Sequence, residues 1–577
     1  MPFEKASFLM IILAFTFLSC KNENTTKFNP ELRFEISKGK ETATYQEMIA
    51  FYKDASEFSK NVELKTMGTT DAGEPLHLVS YYNRKKSENS INILINNGIH
   101  PGEPDGIDAS MILLRDLVNK SVELPEHINL HIIPAYNVGG MLKRNSTSRA
   151  NQNGPKAYGF RGNAKNYDLN RDFIKMDTKN MEAFAEIYHL ISPDVYVETH
   201  VSNGADYQYT LTHLFTQHNK LGYDLGEFTN KTFRPEIEKD LKNKGYPITP
   251  YVNVFGRTPN SGITQFFDSP RYSTGYTSLW NTIGLMIETH MLKPYLERVT
   301  QTKAMLESVM TVSGKYKTEI LNKRNENFED FRRNKYYRYN YVTDSENFDT
   351  LNFKGFGYEY VKSEVTDQQR LKYNNDEPQT FPVKYYNRYI AEDSIIIPDF
   401  YVIPHAWSNI LNKLKINGVE VTQVERDIVL TVESYRILDY KTYTSPYEGH
   451  YLHYNTKVEK SEKAVNVKQG DYIISTNQRS RRYIIETLEP ALRDSFFNWN
   501  FFDSILQQKE GFSAYVFEDY AKDFLVNHPE INEEFINKKQ QDSVFNNSAY
   551  QQLNWIFKKS PLYEEAHLRY PVFRMFN

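Results

Sequence analysis

The sequence predicts an α/β fold: an N-terminal lobe built on a largely parallel or mixed sheet, then an accessory region of mixed α/β type. Three observations carry this. Strand-like apolar runs alternate with segments of helical periodicity between residues 91 and 290. Four chemistry-bearing residues, His100, Asn137, His200 and Glu288, each fall at or just past the C-terminal end of a predicted strand, the edge where open α/β sheets bind ligands. Beyond about residue 310 the texture changes to charged stretches and then β-branched and aromatic runs.

The elements follow in order. Phe8–Leu18 is apolar, too short to span a bilayer comfortably and of a length suited to an export-signal core. It ends at Ser19-Cys20, the chain's only cysteine, which excludes an internal disulfide. Polar residues 21–41 read as a tether. Residues 91–95 (INILI) read as a buried strand, 107–119 as an amphipathic helix and 128–137 as a second strand. A polar, Gly- and Asn-rich loop covers 139–170. The helix KNMEAFAEIYHLI leads to the strand PDVYVETH (193–200), and IGLMIETH (283–290) is a fourth. The segment 311–340 reads as helical and then linker-like, 380–445 as strand-rich, and 470–505 as a strand followed by an aromatic helix, SFFNWNFFDSIL. These readings place a signal peptide at 1–20, a tether at 21–41, the main lobe at 42–312 and one or two accessory domains at 313–577.

Composition bounds function. With 577 residues and a net charge of -4 the chain is long enough for two or three domains, and it shows no basic excess to suggest nucleic acid as a partner. It contains no HExxH helix motif, no GxxxxGK[ST] phosphate loop and no GxSxG elbow.

The stretch GIHPGEPDG (98–106) follows the first strand and holds His100 and Glu103 three positions apart. Pro101 fixes its own φ, and Gly102 permits a bend that a β-carbon would hinder. The pair alone is weak evidence for a metal, since a His and a Glu three apart recur by chance, and by itself it reads as a surface turn. A catalytic zinc needs three N or O ligands and one open position; His200, at a strand exit, is a candidate third. Glu288 is a candidate proton shuttle, or else an edge-strand Glu paired with Lys293. Asp105 reads as the N-cap of the following helix.

The ordered set HPGE, YDLNRDF (167–173), VETHVSNG and MIETH resembles the zinc carboxypeptidases of the carboxypeptidase A type, over roughly residues 45–310. The resemblance implies a mixed-sheet α/β domain, one zinc ion per chain, and a peptide substrate with a free C-terminus. It implies His100, Glu103 and His200 as zinc ligands, Glu288 as general acid/base, and Asp168 as the carboxylate orienting His100. Asn170 and Arg171 match the pair that binds the terminal carboxylate. Arg161, in RGNAKNYDLNR, matches the arginine that polarises the scissile carbonyl; Arg149 is the alternative. Tyr272 matches the tyrosine that closes on substrate, with Tyr276 as runner-up. The family pattern uses neither Glu198 nor His290. GYTSL (275–279) matches the pocket for the C-terminal side chain and lacks an acidic residue, which argues against a strict preference for Lys or Arg. NVGG (137–140) departs from the family's usual Asn-Pro-Asp-Gly, leaving the ligand set intact and the substrate open.

The N-terminus is similar to that of bacterial lipoproteins, with Cys20 at the lipidated position, although Phe17 stands where Leu is usual. This implies an exported protein of the cell envelope, held to the membrane by a lipid anchor. Two other functional classes stay open on sequence alone: a cell-wall peptide amidase or carboxypeptidase of the same fold, and a non-catalytic envelope lipoprotein that binds peptide or glycan.

Overall fold

The computed structural model describes residues 27–83 and 89–576. The apolar run Phe8–Leu18, Cys20 and the first part of the tether lie outside the described residues. Among those described, no helix is long and apolar enough to cross a membrane.

The main lobe is an eight-stranded mixed sheet. Its strands are β1 (Val62–Thr69), β2 (Pro75–Tyr82), β3 (Ile91–Asn96), β4 (Ile128–Ile133), β5 (Val195–Ser202), β6 (Leu211–Phe215), β7 (Thr249–Pro250) and β9 (Ile283–His290), while β8 (Ile263–Thr264) stands outside it. Their order is β1-β2-β4-β3-β5-β9-β6-β7. The central four, β4-β3-β5-β9, run parallel, and β2 and β6 flank them antiparallel. Every residue of β5 and β9 is buried, as expected for parallel strands covered on both faces. The two-residue alternation sorts side chains between two cores. Ile93, Ile95, Val195 and Val197 join the helices Tyr45–Phe58, Asp105–Val118 and Tyr295–Lys315 on one face. Leu94 and Tyr196 join the helix Lys179–Ile191 on the other.

That second core continues into the C-terminal region, where Tyr401, Ile410, Tyr483 and Trp499 share it with Phe184, Tyr188 and Tyr276. Here β10 (Tyr336–Thr343) pairs with β13 (Tyr389–Ile396), and between them β11 (Asp349–Lys362) and β12 (Gln369–Tyr386) form a long hairpin whose end joins β8. A six-stranded sheet follows, built from β14 (Phe400–Ile403), β15 (Thr422–Gln423), β16 (Ile428–Thr442), β17 (His453–Val467), β18 (Tyr472–Ser475) and β19 (Phe573–Met575). A small helical cluster spans 514–559.

Three expectations need correction. The stretch expected to become a linker before residue 340 is a helix, Lys317–Arg333, running directly into β10. SFFNWNFFDSIL is mostly turns, with a short 3-10 helix at Asp503–Leu506. Phe496, Phe497, Trp499 and Phe502 are all fully buried, so tertiary packing rather than a one-sided apolar stripe fixes this segment. Asp105 is not a cap but the first helical residue; buried, it pairs with the buried Arg298 (Nε–Oδ2 3.1 Å).

Candidate active site

The loop after β3 is shaped by two glycines. Gly98 has φ +64°, a conformation that disfavours side chains. Gly102 has no such φ; its missing β-carbon leaves room for the Gly159 carbonyl, which a Cβ would meet at 3.2 Å. The Glu103 N–H donates to the His100 carbonyl at 2.8 Å, turning both side chains inward. His200, on β5, meets them. All three are 3 % exposed.

Three donor atoms converge. His100 Nδ1 lies 3.1 Å from His200 Nδ1 and 3.4 Å from Glu103 Oε2, and the latter is 3.0 Å from His200 Nδ1. A tetrahedral zinc with N/O bonds near 2.0–2.1 Å places its donors about 3.3 Å apart, so the spacing fits. The chemistry fits too. His100 Nε2 lies 2.9 Å from Asp168 Oδ1, which places the ring proton there and leaves the Nδ1 lone pair facing the other two donors. Burial opposes a charged His200, yet Glu103 and Glu198 outweigh it and raise its pKa to about 10: the site favours positive charge. Among the described residues this is the only His/Cys/Asp/Glu cluster with metal-ligand spacing.

Behind the donors stands a second layer. Asp168 is held ionised, far below its ordinary pKa; burial opposes this, but His100, Arg161 and Arg171 prevail. Glu198, given no role by the family pattern, is fully buried, with Oε2 3.5 Å from His200 Nε2 and accepting from the Ser273 hydroxyl. Asn170 is buried, its Nδ2 3.4 Å from the same ring nitrogen. His290 instead pairs with Asp206 at 3.0 Å.

The two candidate arginines differ in commitment. Arg149 donates to Glu103 Oε1 (2.8 Å), Gln152 and the Val201 carbonyl, with a side chain 15 % exposed. Arg161 donates to Asp168 Oδ2 (3.0 Å) and reaches Glu103 Oε1 at 3.4 Å, with 44 % of its side chain exposed. Arg161 therefore keeps donor surface for a ligand, while Arg149 braces Glu103.

Glu288 pairs in register with His200 across β5 and β9. Its Oε2 is buried without a hydrogen-bond partner, and Lys293 turns away to Asp206 (3.6 Å). Burial first, then the charges of Glu103 and Glu198 against that of His200, pushes its pKa up to about 8. Tyr251, just after β7, stands in no motif that marks it in the sequence. Burial and then the charge of Glu288 raise its phenol pKa, with Glu103 also acting on it, which places it at the same centre.

Arg171 stacks its guanidinium 4.5 Å over the Tyr272 ring and donates to the Asn170 carbonyl. Tyr272 is partly exposed. Tyr276 is fully buried and donates to Asn417 of the C-terminal region, a packing role. The whole of GYTSL is buried with it.

Residues 48–204 match the zinc carboxypeptidase family. The chain carries a zinc carboxypeptidase domain. Carboxypeptidase 2 of Trichophyton rubrum is 23 % identical over 432 residues, covering 71 % of this chain and 74 % of that protein. Probable carboxypeptidase 2 of Arthroderma benhamiae is 22 % identical over 428 residues, 71 % and 75 % of the two chains. A metallo-carboxypeptidase structure from Burkholderia cenocepacia aligns at TM-score 0.37 and 15 % identity, covering 48 % of this chain and 70 % of that one. The domain is that of a metallocarboxypeptidase hydrolase, and zinc is the metal of its family.

Proposed function

We propose that this zinc carboxypeptidase domain removes C-terminal residues from peptides, with Glu288 as general acid/base. The observation that carries the reading is a buried carboxylate with a free oxygen in register with one of three converging metal donors. His100, Glu103 and His200 would hold the zinc, which would supply a Lewis acid and lower the pKa of water. Arg171 offers a planar fork to the terminal carboxylate, and Tyr272 keeps that fork flat from below. Arg161 donates to the oxygen on which charge develops. Glu288 takes a proton from the attacking water and returns it to the leaving amine.

The test is Glu288→Gln, assayed on peptides with varied C-termini. The variant should bind zinc and melt like wild type while losing about 10²–10⁴ in kcat. Near wild-type turnover would remove Glu288 from the chemistry; a zinc-loaded wild type inert on every peptide would remove the whole reading.

We also propose that the chain is exported and lipid-anchored through Cys20, a reading supported by the apolar run Phe8–Leu18 ending at that cysteine. Cys20→Ser should leave the membrane fraction. Retention of the variant there would refute the anchor.

A further inference from the structure

The main lobe and the C-terminal region border a cavity of about 400 Å³. Asn281, two residues before β9, lines it, so it stands at the opposite end of that strand from Glu288. The helix Lys317–Arg333 supplies Glu329 and Arg332, and the segment entering the helix Arg481–Leu488 supplies Arg479, Arg481 and Arg482.

Four arginines thus face one carboxylate, and Glu329 is already paired with Arg332 at 2.6 Å. Among the described residues no carboxylate pairs with the other three. The terminal nitrogens of Arg481 donate to the carbonyls of Arg332 and Asn334, those of Arg482 to the carbonyls of Ser278 and Lys220. Burial holds the Arg481 guanidinium below its ordinary pKa, as happens to a cation short of counter-charge. Arg479 is exposed and lies 5.0 Å over the Phe328 ring.

Three buried atoms of the lining residues have no hydrogen-bond partner: Asn281 Nδ2, Arg481 Nε and Arg482 Nε. All three are donors. Asn281 is fully buried and Arg482 is 4 % exposed. Asn281 Oδ1 accepts from Asn327 and Arg482, which fixes the amide's orientation. The N-terminus of Arg481–Leu488 has no side-chain cap, because the Ser480 hydroxyl donates to Gln478 instead. Buried donors without acceptors are costly, and an uncapped helix start favours an anion.

We propose that this cavity binds a small organic phosphate, held by Arg479 and by the unpartnered donors of Asn281, Arg481 and Arg482. A phosphate monoester carries close to two negative charges and three acceptor oxygens, which suits three arginines without a carboxylate better than a singly charged acid does. Guanidinium groups match phosphate geometry, and the volume is that of a small-molecule site. The ligand would touch both regions of the chain and hold them together. The inference does not depend on the carboxypeptidase reading.

The experiment is calorimetric titration of the full, zinc-loaded protein with phenyl phosphate, and with phenylacetate as its singly charged counterpart. Phenyl phosphate should bind more tightly by about 10–100-fold, the effect of one further charge-assisted hydrogen bond, and should raise the melting temperature. Arg479→Ala should weaken phenyl phosphate by about tenfold while turning over peptides like wild type. Arg171→Ala, at the metal centre, should leave the affinity for phenyl phosphate unchanged.

A wild type that does not bind phenyl phosphate at millimolar concentration overturns the proposal without any variant, so a misfolded variant cannot shield it. Equal affinity for phenylacetate overturns it as well. Binding that survives Arg479→Ala but is lost in Arg171→Ala assigns the phosphate to the metal centre and likewise refutes the site.

Discussion

The outer nitrogens of the two metal-site histidines face carboxylates at unequal distances, and that inequality predicts unequal effects on zinc affinity. Asp168 Oδ1 lies 2.9 Å from His100 Nε2, while Glu198 Oε2 lies 3.5 Å from His200 Nε2. A hydrogen bond to a charged group contributes about 1.5–3 kcal/mol, and loss of such an outer partner typically weakens metal binding by about 10–100-fold. The 2.9 Å contact has the full geometry of a charged hydrogen bond, so Asp168→Asn should weaken zinc binding toward the 100-fold end, about 2.7 kcal/mol. The 3.5 Å contact is at the limit of hydrogen bonding, and Glu198 shares its Oε2 with Ser273. Glu198→Gln should therefore cost about tenfold, near 1.4 kcal/mol. Competition of the protein with a chromophoric chelator measures both, and thermal melts of the zinc-free proteins check that each variant folds. If Glu198→Gln binds zinc within twofold of wild type while Asp168→Asn does not, the carboxylate behind His200 has no part in holding the metal, and Asn170 alone orients that ring.

Two further outcomes follow from the same geometry and from a half-buried histidine. Arg161→Ala should lower kcat by about 10²–10³ at nearly unchanged zinc affinity, whereas Arg149→Ala should weaken zinc binding, because it frees Glu103 from its 2.8 Å partner; steady-state kinetics with chelator titration separates them, and near wild-type turnover in Arg161→Ala alone would exchange their roles. Burial lowers the pKa of His189 to about 4, below its unfolded value of about 6.5, so the fold favours the neutral ring. Its contribution to stability is present above pH 6.5 and is lost as pH falls toward 4, on the order of 2 kcal/mol by pH 4.5. Urea midpoints at pH 7.5 and 4.5 should differ less in His189→Leu than in wild type, and an unchanged difference would refute the assignment.

The residues most visible in the sequence share one property: they stand at strand ends in short, punctuated segments. His100 and Glu103 sit in a Gly-Pro loop, and His200 and Glu288 end apolar runs, so periodicity alone places them on one sheet edge. Glu198 carries a signal that goes unused, since it lies two residues before His200 on the same strand and shares its face; only the family pattern argues against it. Tyr276 and Tyr272 are indistinguishable by composition, and what separates them is Asn417, about 140 positions on. Tyr251 and Glu448 carry no local signal at all, because each reaches the site through a long-range pairing.

Long-range packing also fixes the C-terminal region. The change of texture near residue 310 is a change in surface chemistry, not a gap in packing. Tyr276 and Trp280 of the main lobe lie against Tyr483 of the C-terminal region, with ring centroids 6.3 and 5.3 Å away. The buried Arg482 donates to the carbonyls of Ser278 and Lys220. An apolar face of that kind, left uncovered, would expose large aromatics that the catalytic lobe has no other element to bury. The C-terminal region therefore packs as a continuation of the main lobe: the contacts that fill the second core also carry Glu448 to Asp168.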